Sequence, residues 1–227
     1  MTHGRTLTDR TLTRADCAAL IAQDGPWRLV QCDLAEADLA GLDLTGWQFD
    51  RCDMRRIALS GARLEASRWQ SVRAPFAAMI GTDLTDAVFN ACDINNAALR
   101  NARLTGAGFT GCKLTGADLS DAALIDARFE ECLLIGAKLP GQSFRKQTLR
   151  RVDLEQADLR KCDFRDVVFE ACSLRDANLA GARFDKADLR GCDLGGLRLF
   201  DATLFKGATV SRDQAAQLLA QLGLRLG

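Results

Sequence analysis

The chain has 227 residues, nearly half of them hydrophobic, and its formal net charge is zero because 30 Lys and Arg balance 30 Asp and Glu. This balance excludes a general electrostatic attraction to nucleic acid or to acidic membranes. The apolar runs are too short to cross a bilayer, and the first residues lack the apolar stretch of a signal peptide, so we expect a soluble cytoplasmic protein. Nine cysteines in that setting indicate reduced thiols and not a disulfide framework.

The N-terminal segment, residues 1–28, contains one predicted helix. The stretch TRADCAALIAQDG favours a short helix from about Arg14 to Gln23, and we expect this helix to cover the N-terminal end of the next segment. His3, the only histidine, precedes the helix, and no local pattern pairs it with a Ser or Cys nucleophile. Catalysis through histidine is therefore not expected.

From Leu29 to Leu204 the sequence repeats with a period of five residues. A Leu, Phe, Met, Ile or Trp occupies every position ending in 4 or 9 except Ala74, and a small Ala or Cys often lies two residues earlier. The other three positions of each pentapeptide carry most of the charge. A period of five matches neither the 3.6 residues of a helix nor the two of a strand, so we infer a coil that turns a corner every five residues.

A second, longer period indicates four corners in each coil, because like side chains recur at every fourth pentapeptide in two columns. The cysteine column contains Cys32, Cys52, Cys92, Cys112, Cys132, Cys172 and Cys192, and the aromatic column contains Phe49, Trp69, Phe89, Phe109, Phe129 and Phe169. Thiols stacked in parallel in a dry interior do not converge on an ion, so packing explains the cysteine column better than a metal or redox site. Gly often lies two residues after the central apolar residue, where a tight corner favours positive φ.

The pentapeptides ADLAG, CDLAE, ADLSD, ANLAG and ADLRG resemble the A(D/N)LXX consensus of the pentapeptide-repeat family. The resemblance implies an all-β solenoid, namely a right-handed quadrilateral β-helix of about nine coils, which we assign to residues 29–209. The residues on either side of it predict a short helical cap before the solenoid and a helix after it.

Two places break the interior pattern and predict distorted coils. Ala74 replaces a large residue and is followed by Pro75, so we expect Phe76 to turn inward and fill the space. Gln142 and Gln147 occupy positions for small residues, where a buried amide needs partners or the coil must open. The large side chains of Trp27, Leu42, Trp47 and Ile57 also occupy small-residue positions, so the first third of the repeats is predicted to be less regular.

The C-terminal segment, residues 210–227, predicts a helix. Ser211 and Gln214 have the spacing of a capping box, an apolar stripe comes next, and Gly223 is the expected stop. Phe200 and Phe205 precede this helix at nominally outward positions, so the helix or a second subunit should cover them. The predicted dimer interface comprises Phe200, Phe205, Ala215, Leu218, Leu219, Leu222 and Leu224.

The pattern predicts no catalytic, cofactor-binding or metal site, so function should lie in the shape and charge of the surface. Residues 51–80 are basic, whereas the middle of the chain is acidic. We predict that a partner protein binds the acidic surface made by Asp83, Asp86, Asp93, Asp118, Asp121, Asp126, Glu130 and Glu131.

Within the family, the chain is most similar to the Qnr, MfpA, McbG and AlbG group of topoisomerase-protection proteins. This resemblance implies a homodimer joined at its C-terminal ends that mimics DNA, binds DNA gyrase or topoisomerase IV, and protects the enzyme from quinolones or natural poisons. The alternative is an interaction scaffold with another partner, for example in toxin immunity or at the cell envelope. Under either hypothesis we expect no cofactor, no membrane partner and no direct binding of nucleic acid.

Overall fold

The computed structural model describes residues 5–23, 25–197, 202–221 and 223–224. These residues fall into two compact units, Met1–Leu133 and Leu134–Gly227. In both units, parallel strands and single bridges join residues that lie four pentapeptides apart, which is the geometry of a β-solenoid. The described residues contain about nine turns of solenoid and two α-helices, so the predicted fold class is confirmed.

The first unit contains a parallel sheet of seven strands, in which each strand pairs with the next. The register is constant: Leu29 pairs with Phe49, and Phe49 pairs with Trp69. The strands are β1 (Arg5–Thr8), β2 (Trp27–Val30), β3 (Gln48–Asp50), β4 (Arg68–Gln70), β5 (Val88–Asn90), β6 (Gly108–Thr110) and β7 (Arg128–Glu130).

Three further sides of each turn are joined by single parallel bridges, so a turn has four faces. We name them by the outward residues of the first unit. The strand face contains β2 to β7; the cysteine face contains Asp33, Asp53, Arg73, Asp93 and Lys113; the alanine face contains Asp38, Ala58, Ala78, Ala98 and Asp118; the ion-pair face contains Asp43, Arg63, Asp83, Arg103 and Ala123.

The corners explain why a period of five suits this backbone. The Leu34 carbonyl accepts a hydrogen bond from the Ala37 N–H (3.1 Å), which closes a β-turn whose third residue, Glu36, has φ 61°. Gly41 has φ 71° at the next corner, as the glycine pattern predicted. The same left-handed conformation is adopted by charged residues such as Asp126, with φ 57°, so the corner does not depend on glycine.

The core of the first unit consists of side chains stacked at the spacing of paired strands. The Phe89 and Phe109 rings stack at 4.7 Å, and the Phe109 and Phe129 rings stack at 5.0 Å. Trp69 joins the same column and donates its Nε1–H to the buried hydroxyl of Ser67 (2.9 Å). The predicted aromatic column is therefore present in this unit.

The predicted irregularities of the first unit do not occur. Trp47 and Ile57 are buried without loss of register, since Arg28 still pairs with Gln48 and Asp38 with Ala58. Phe76 does not turn inward: Ala74 remains buried, and the Phe76 ring is 56% exposed. The cause is the corner, because Phe76 has φ 60° and takes the left-handed position that points its side chain outward.

The N-terminal residues add elements to the first unit, one of which the repeat pattern missed. Strand β1 pairs in register with β2, so solenoid pairing begins at Arg5 and not at Leu29. Helix α1 (Arg14–Ile21) was predicted, and its N-terminus is closed by a capping box between Thr13 and Asp16. Cys17, on this helix, is fully buried.

The second unit continues the same pattern with β8 (Thr148–Arg150) paired to β9 (Val168–Glu170) and β10 (Cys172–Ser173) paired to β11 (Cys192–Asp193). The coil does not open at Gln142 and Gln147, whose carbonyls accept from Asp163 (2.9 Å) and Val168 (3.1 Å). A 3-10 turn (Ala202–Phe205) and helix α2 (Arg212–Gln221) come last. The described residues include no helix that is both long and apolar enough to traverse a bilayer.

The repeat phase slips by one position near the C-terminal end. In the regular turns a central residue donates its N–H to the residue just before its equivalent in the next turn, as the Leu174 N–H does to Asp193 O. The Phe184 N–H instead donates to Leu204 O, which lies one position further along the chain. Consequently Phe205, and not Leu204, stacks on Phe184, with ring centroids 4.9 Å apart. The prediction of an unbroken phase to Leu204, with Phe205 pointing outward, is wrong at this point.

Candidate partner-binding surfaces

The predicted acidic surface is not a single stripe. Its residues lie on all four faces or the corners between them: Asp83 on the ion-pair face, Asp93 on the cysteine face, Asp118 on the alanine face, Glu130 on the strand face, and Asp86, Asp121, Asp126 and Glu131 at corners. Because the faces of a turn point in different directions, one flat partner cannot contact all eight. Asp86 and Asp126 occupy equivalent corners two turns apart, with Gly106 at the corner between them, so these two carboxylates share one edge of the solenoid.

Several of these carboxylates are committed to contacts within the protein. Asp83 is buried and accepts hydrogen bonds from the Thr85 hydroxyl (2.7 Å) and from Arg103 Nε (3.0 Å). Partial burial alone would favour the neutral acid, but these hydrogen bonds outweigh it and lower the pKa of Asp83. Asp118 lies 3.7 Å from Arg100. Asp86, Asp121 and Asp126 are exposed at their corners and are better placed to meet a partner.

A recurrent Asp-X-Arg pattern neutralises much of the remaining surface. In Asp163-Phe164-Arg165, Asp163 Oδ1 accepts both the backbone N–H of Arg165 (3.1 Å) and its Nε (2.8 Å). The same contacts occur in Asp158-Leu159-Arg160 and Asp188-Leu189-Arg190. The aspartate closes a local turn while the arginine cancels its charge, so these aspartates do not form a phosphate-like row.

The ion-pair face alternates in charge from one turn to the next. Arg63 Nη1 lies 3.0 Å from Asp43 Oδ2, and Arg103 bridges to Asp83. The Arg63–Asp43 pair is exposed and contributes little to stability, whereas Asp83 is buried; both pairs make this face locally neutral.

The cysteine column forms part of the core. All nine cysteines are buried, and in this column the thiols of Cys52, Cys92, Cys112 and Cys132 each donate to the carbonyl of the central residue in the preceding turn, at 3.4 Å. Cys162, in another column, makes the equivalent bond to Leu139 O (3.0 Å). Within the described ranges, no three His, Cys, Asp or Glu residues are grouped so that they could hold a metal ion.

The predicted dimer residues occupy the C-terminal end of the second unit. Ala215, Leu218 and Leu219 on α2 are half-buried, Phe205 is stacked in the core column, and Leu224 is 55% exposed. Phe200 and Leu222 lie outside the described residues. The capping box is confirmed by the Ser211 N–H donating to Gln214 Oε1 (2.7 Å) and the Gln214 N–H donating to Ser211 Oγ (3.2 Å).

An exposed apolar surface on the alanine face was not predicted. Phe76 and Ile80 stand four positions apart in one turn, and both are exposed. Ala58, Ala78 and Ala98 occupy outward positions that carry charge in many other pentapeptides. The spacing of four pentapeptides between these alanines is visible in the sequence, but the sequence does not show that their side chains point outward.

Four-sided turns of four pentapeptides each, with stacked central side chains and parallel bridges on each face, define a repeat protein of the β-solenoid class. Sequence profiles agree: residues 82–159 match a pentapeptide repeat region, and residues 28–68 and 149–193 match pentapeptide repeats in eight and nine copies. The chain belongs to the pentapeptide-repeat family.

Two solved structures of pentapeptide-repeat proteins are similar to this chain, and the first of them shares its fold. QnrB1, a plasmid-mediated fluoroquinolone resistance protein, is 19% identical, with a TM-score of 0.61 over 97% of this chain and 98% of that one. HetL, a pentapeptide repeat protein involved in heterocyst differentiation regulation from the cyanobacterium Nostoc sp. strain PCC 7120, is 27% identical over 82% of this chain and 86% of that one, with a TM-score of 0.40. No protein of curated function is matched significantly by the sequence.

Proposed function

We propose that this protein is a non-enzymatic binding protein that contacts DNA gyrase or topoisomerase IV and protects the enzyme from quinolones or natural gyrase poisons. The observation that supports the proposal is the likeness to QnrB1 along nearly the whole of both chains. A fold can serve several functions, so the surface must supply the specificity.

The arrangement of charge favours protection through a protein contact over imitation of a DNA backbone. A DNA mimic needs a continuous row of negative charge, since phosphates dominate what a DNA-binding saddle attracts. Here the acidic residues are divided among four faces, and Asp83 is neutralised by Arg103. The contact would use exposed corners such as Asp86 and Asp126.

The test is a gyrase supercoiling assay with and without a quinolone, combined with a measurement of gyrase binding. We expect the purified protein to bind gyrase and to restore supercoiling in the presence of the drug. The variant Asp86→Asn with Asp126→Asn should lose protection, while Asp176→Asn, which changes an exposed corner of the second unit, should retain it. Absence of binding, inhibition and protection would exclude the proposal.

The second candidate is an interaction scaffold with a different partner, in toxin immunity or at the envelope. The neutral Asp-X-Arg pairs and the three outward alanines of the alanine face favour it, because they suit a partner that is not a DNA-binding saddle. Normal topoisomerase assays together with specific binding of another protein would support this candidate.

A further inference from the structure

Strand β1 forms the edge of the sheet at the N-terminal end of the first unit. In the described sheet β1 pairs only with β2, whereas β2 pairs on both of its sides. The Asp9 N–H donates to Val30 O (3.1 Å), and the N–H and C=O of one strand residue point to the same side of the strand. Successive residues alternate between the two sides, so both backbone groups of Thr8 point away from β2.

Thr11 continues this edge around the first corner. It bridges to Asp33, and the two hydrogen bonds of the bridge run from the Leu12 N–H to Asp33 O (2.9 Å) and from the Asp33 N–H to Arg10 O (2.8 Å). The N–H and C=O of Thr11 therefore also point away from the rest of the solenoid. Both threonines are exposed, and the described part of the chain supplies no hydrogen-bond partner for these four backbone groups.

A groove of about 300 Å³ adjoins this edge, because Thr11 also lines it. Leu7 and Leu12 contribute apolar side chains to the groove, and residues of α1 line it as well. Leu7 pairs with Leu29, the first central residue of the repeat, and is only half-buried. The inward column therefore ends at Leu7, with space above it for one more apolar side chain. We call Thr8, Thr11 and this groove the open end.

We propose that the open end binds an extended segment of another protein, which adds to β1 as a further parallel strand. Free N–H and C=O groups along a sheet edge are matched by another backbone, and an apolar groove beside them accepts a side chain of the added strand. The central apolar residue of the segment covers Leu7, as Leu7 covers Leu29. The backbone of the segment bonds to Thr8 and, past the corner, to Thr11. The proposal is independent of any topoisomerase contact.

Helix α1 makes a second copy of this chain a poor occupant. Arg14 donates to Asp38 O and Ala40 O (both 3.0 Å), so α1 lies at the alanine face, opposite the strand face. Two-fold pairing of β1 with its own copy would bring one α1 against the other. A helix is about 10 Å across, roughly twice the 4.8 Å between paired strands, so the two helices would collide before the strands met. A single extended chain fits beside α1.

The test uses a fluorescein-labelled peptide of sequence RTLTDRTL, which copies residues 5–12. That segment lies on β2 and Asp33 in the manner proposed, so a free copy can lie on β1 and Thr11 in the same way. One control peptide, RTSTDRTS, lacks the leucines, and the other carries N-methyl groups at its Asp and its last Leu, whose N–H groups form the bonds. We expect fluorescence anisotropy to show at least tenfold tighter binding of RTLTDRTL to the full chain. Equal binding of the three peptides, or no binding of RTLTDRTL, would overturn the proposal.

Matched variants locate the contact. Thr8→Pro removes an outward N–H and leaves the bonds to β2 intact, since proline is tolerated on an edge strand at such a position. It should weaken peptide binding at least tenfold, whereas Thr8→Ala, which keeps the N–H, should not. Ala19→Arg places a long side chain in the groove and should also weaken binding, whereas Ala18→Arg, exposed on the same helix outside the groove, should not. Circular dichroism verifies the fold of each variant, and equal binding within both pairs would contradict the proposal.

Hydrogen exchange and sedimentation identify the occupant independently. Saturating RTLTDRTL should slow amide exchange of Thr8 and Thr11 at least tenfold, and unchanged rates with the peptide bound would overturn the proposal. A wild-type dimer in sedimentation that Thr8→Pro dissociates would assign the open end to a second copy and overturn it as well.

Discussion

The side-chain amide of Gln214 on α2 donates from Nε2 to the carbonyl oxygen of Leu189, at 2.7 Å, inside the second unit. The same nitrogen donates to Cys192 O (2.6 Å), and Gln214 is buried. The C-terminal helix thus satisfies two backbone carbonyls near the end of the solenoid, a place where repeat proteins require a cap.

Replacing Gln214 should destabilise the second unit. Gln214→Ala leaves two buried carbonyls without this donor and removes half of the capping box, so we expect the free energy of unfolding to fall by about 2 kcal/mol. Urea denaturation monitored by circular dichroism measures the change. Gln217→Ala, at an exposed position of the same helix, is the control. Because alanine favours a helix more than glutamine does, a loss in Gln214→Ala cannot come from helix propensity, and a loss of equal size in both variants would mean that the two carbonyl contacts are not responsible.

The buried thiols predict a loss of stability at alkaline pH. Burial raises the pKa of Cys52 to about 11 and that of Cys162 to about 12, above the value near 8.5 of an unfolded thiol. Because the folded state holds these protons more tightly, their stabilisation is complete below about pH 8.5 and declines as the pH rises towards the folded values. The chain contains no tyrosine, so thiols dominate the titration just above pH 8.5.

Denaturation midpoints measured under reducing conditions at pH 7, 9 and 10 should therefore decrease with pH. The decrease should be smaller in Cys162→Ala, which substitutes the residue found one turn later at Ala182. Each thiol can contribute at most about 1.4 kcal/mol per pH unit. An identical slope in wild type and variant would contradict the assignment to Cys162.

The Asp-X-Arg contacts predict that the protein also loses stability as the pH falls into the acid range. The hydrogen bond from Arg165 lowers the pKa of Asp163, so this carboxylate stabilises the fold above its unfolded pKa near 3.9 and loses that effect as the pH falls. Asp163→Asn should be less stable than wild type at pH 6, within about 1 kcal/mol, and the difference should shrink towards pH 2. Urea titration at both pH values measures this, with Asp126→Asn at an exposed corner as the control.

The proposed dimer is tested at α2. If the C-terminal ends join two copies, Leu219→Asp should convert a dimer to a monomer in light scattering, because it places a carboxylate in an apolar contact. Gln217→Asp, on the exposed side of the same helix, should leave the dimer intact. A monomeric wild-type protein would exclude this oligomer directly.

Much of the solenoid was predictable because its repeat is short and strict. Phe89 and Phe109 stack where the period of four pentapeptides places them, and Cys112 lies in the core as its column requires. Both terminal helices were predicted, the second with its capping box of Ser211 and Gln214, and the structure adds a capping box of Thr13 and Asp16 at the first.

The predictions failed where the outcome depends on a corner or an end. Phe76 is apolar, but its left-handed φ directs the ring outward, and composition alone does not reveal this. Phe205, and not Leu204, stacks on Phe184 because the repeat phase slips by one position near the C-terminal end. Strand β1 joins the sheet without belonging to the pentapeptide repeat. Which charged residues are paired and which are free to meet a partner also depends on the faces. Asp83 accepts a hydrogen bond from Arg103, whereas Asp86 lies at a corner.

The amino-acid sequence by itself determined the period, the inward columns and the caps, because each depends on residues at fixed spacing along the chain. Only the tertiary structure decided which outward residues share a face. The acidic residues are near one another in the sequence but are turned to four directions, whereas Ala58, Ala78 and Ala98 are separated by four pentapeptides each and lie side by side. The physical reason is the corner in every pentapeptide, which separates sequence neighbours and brings equivalent residues of successive turns together.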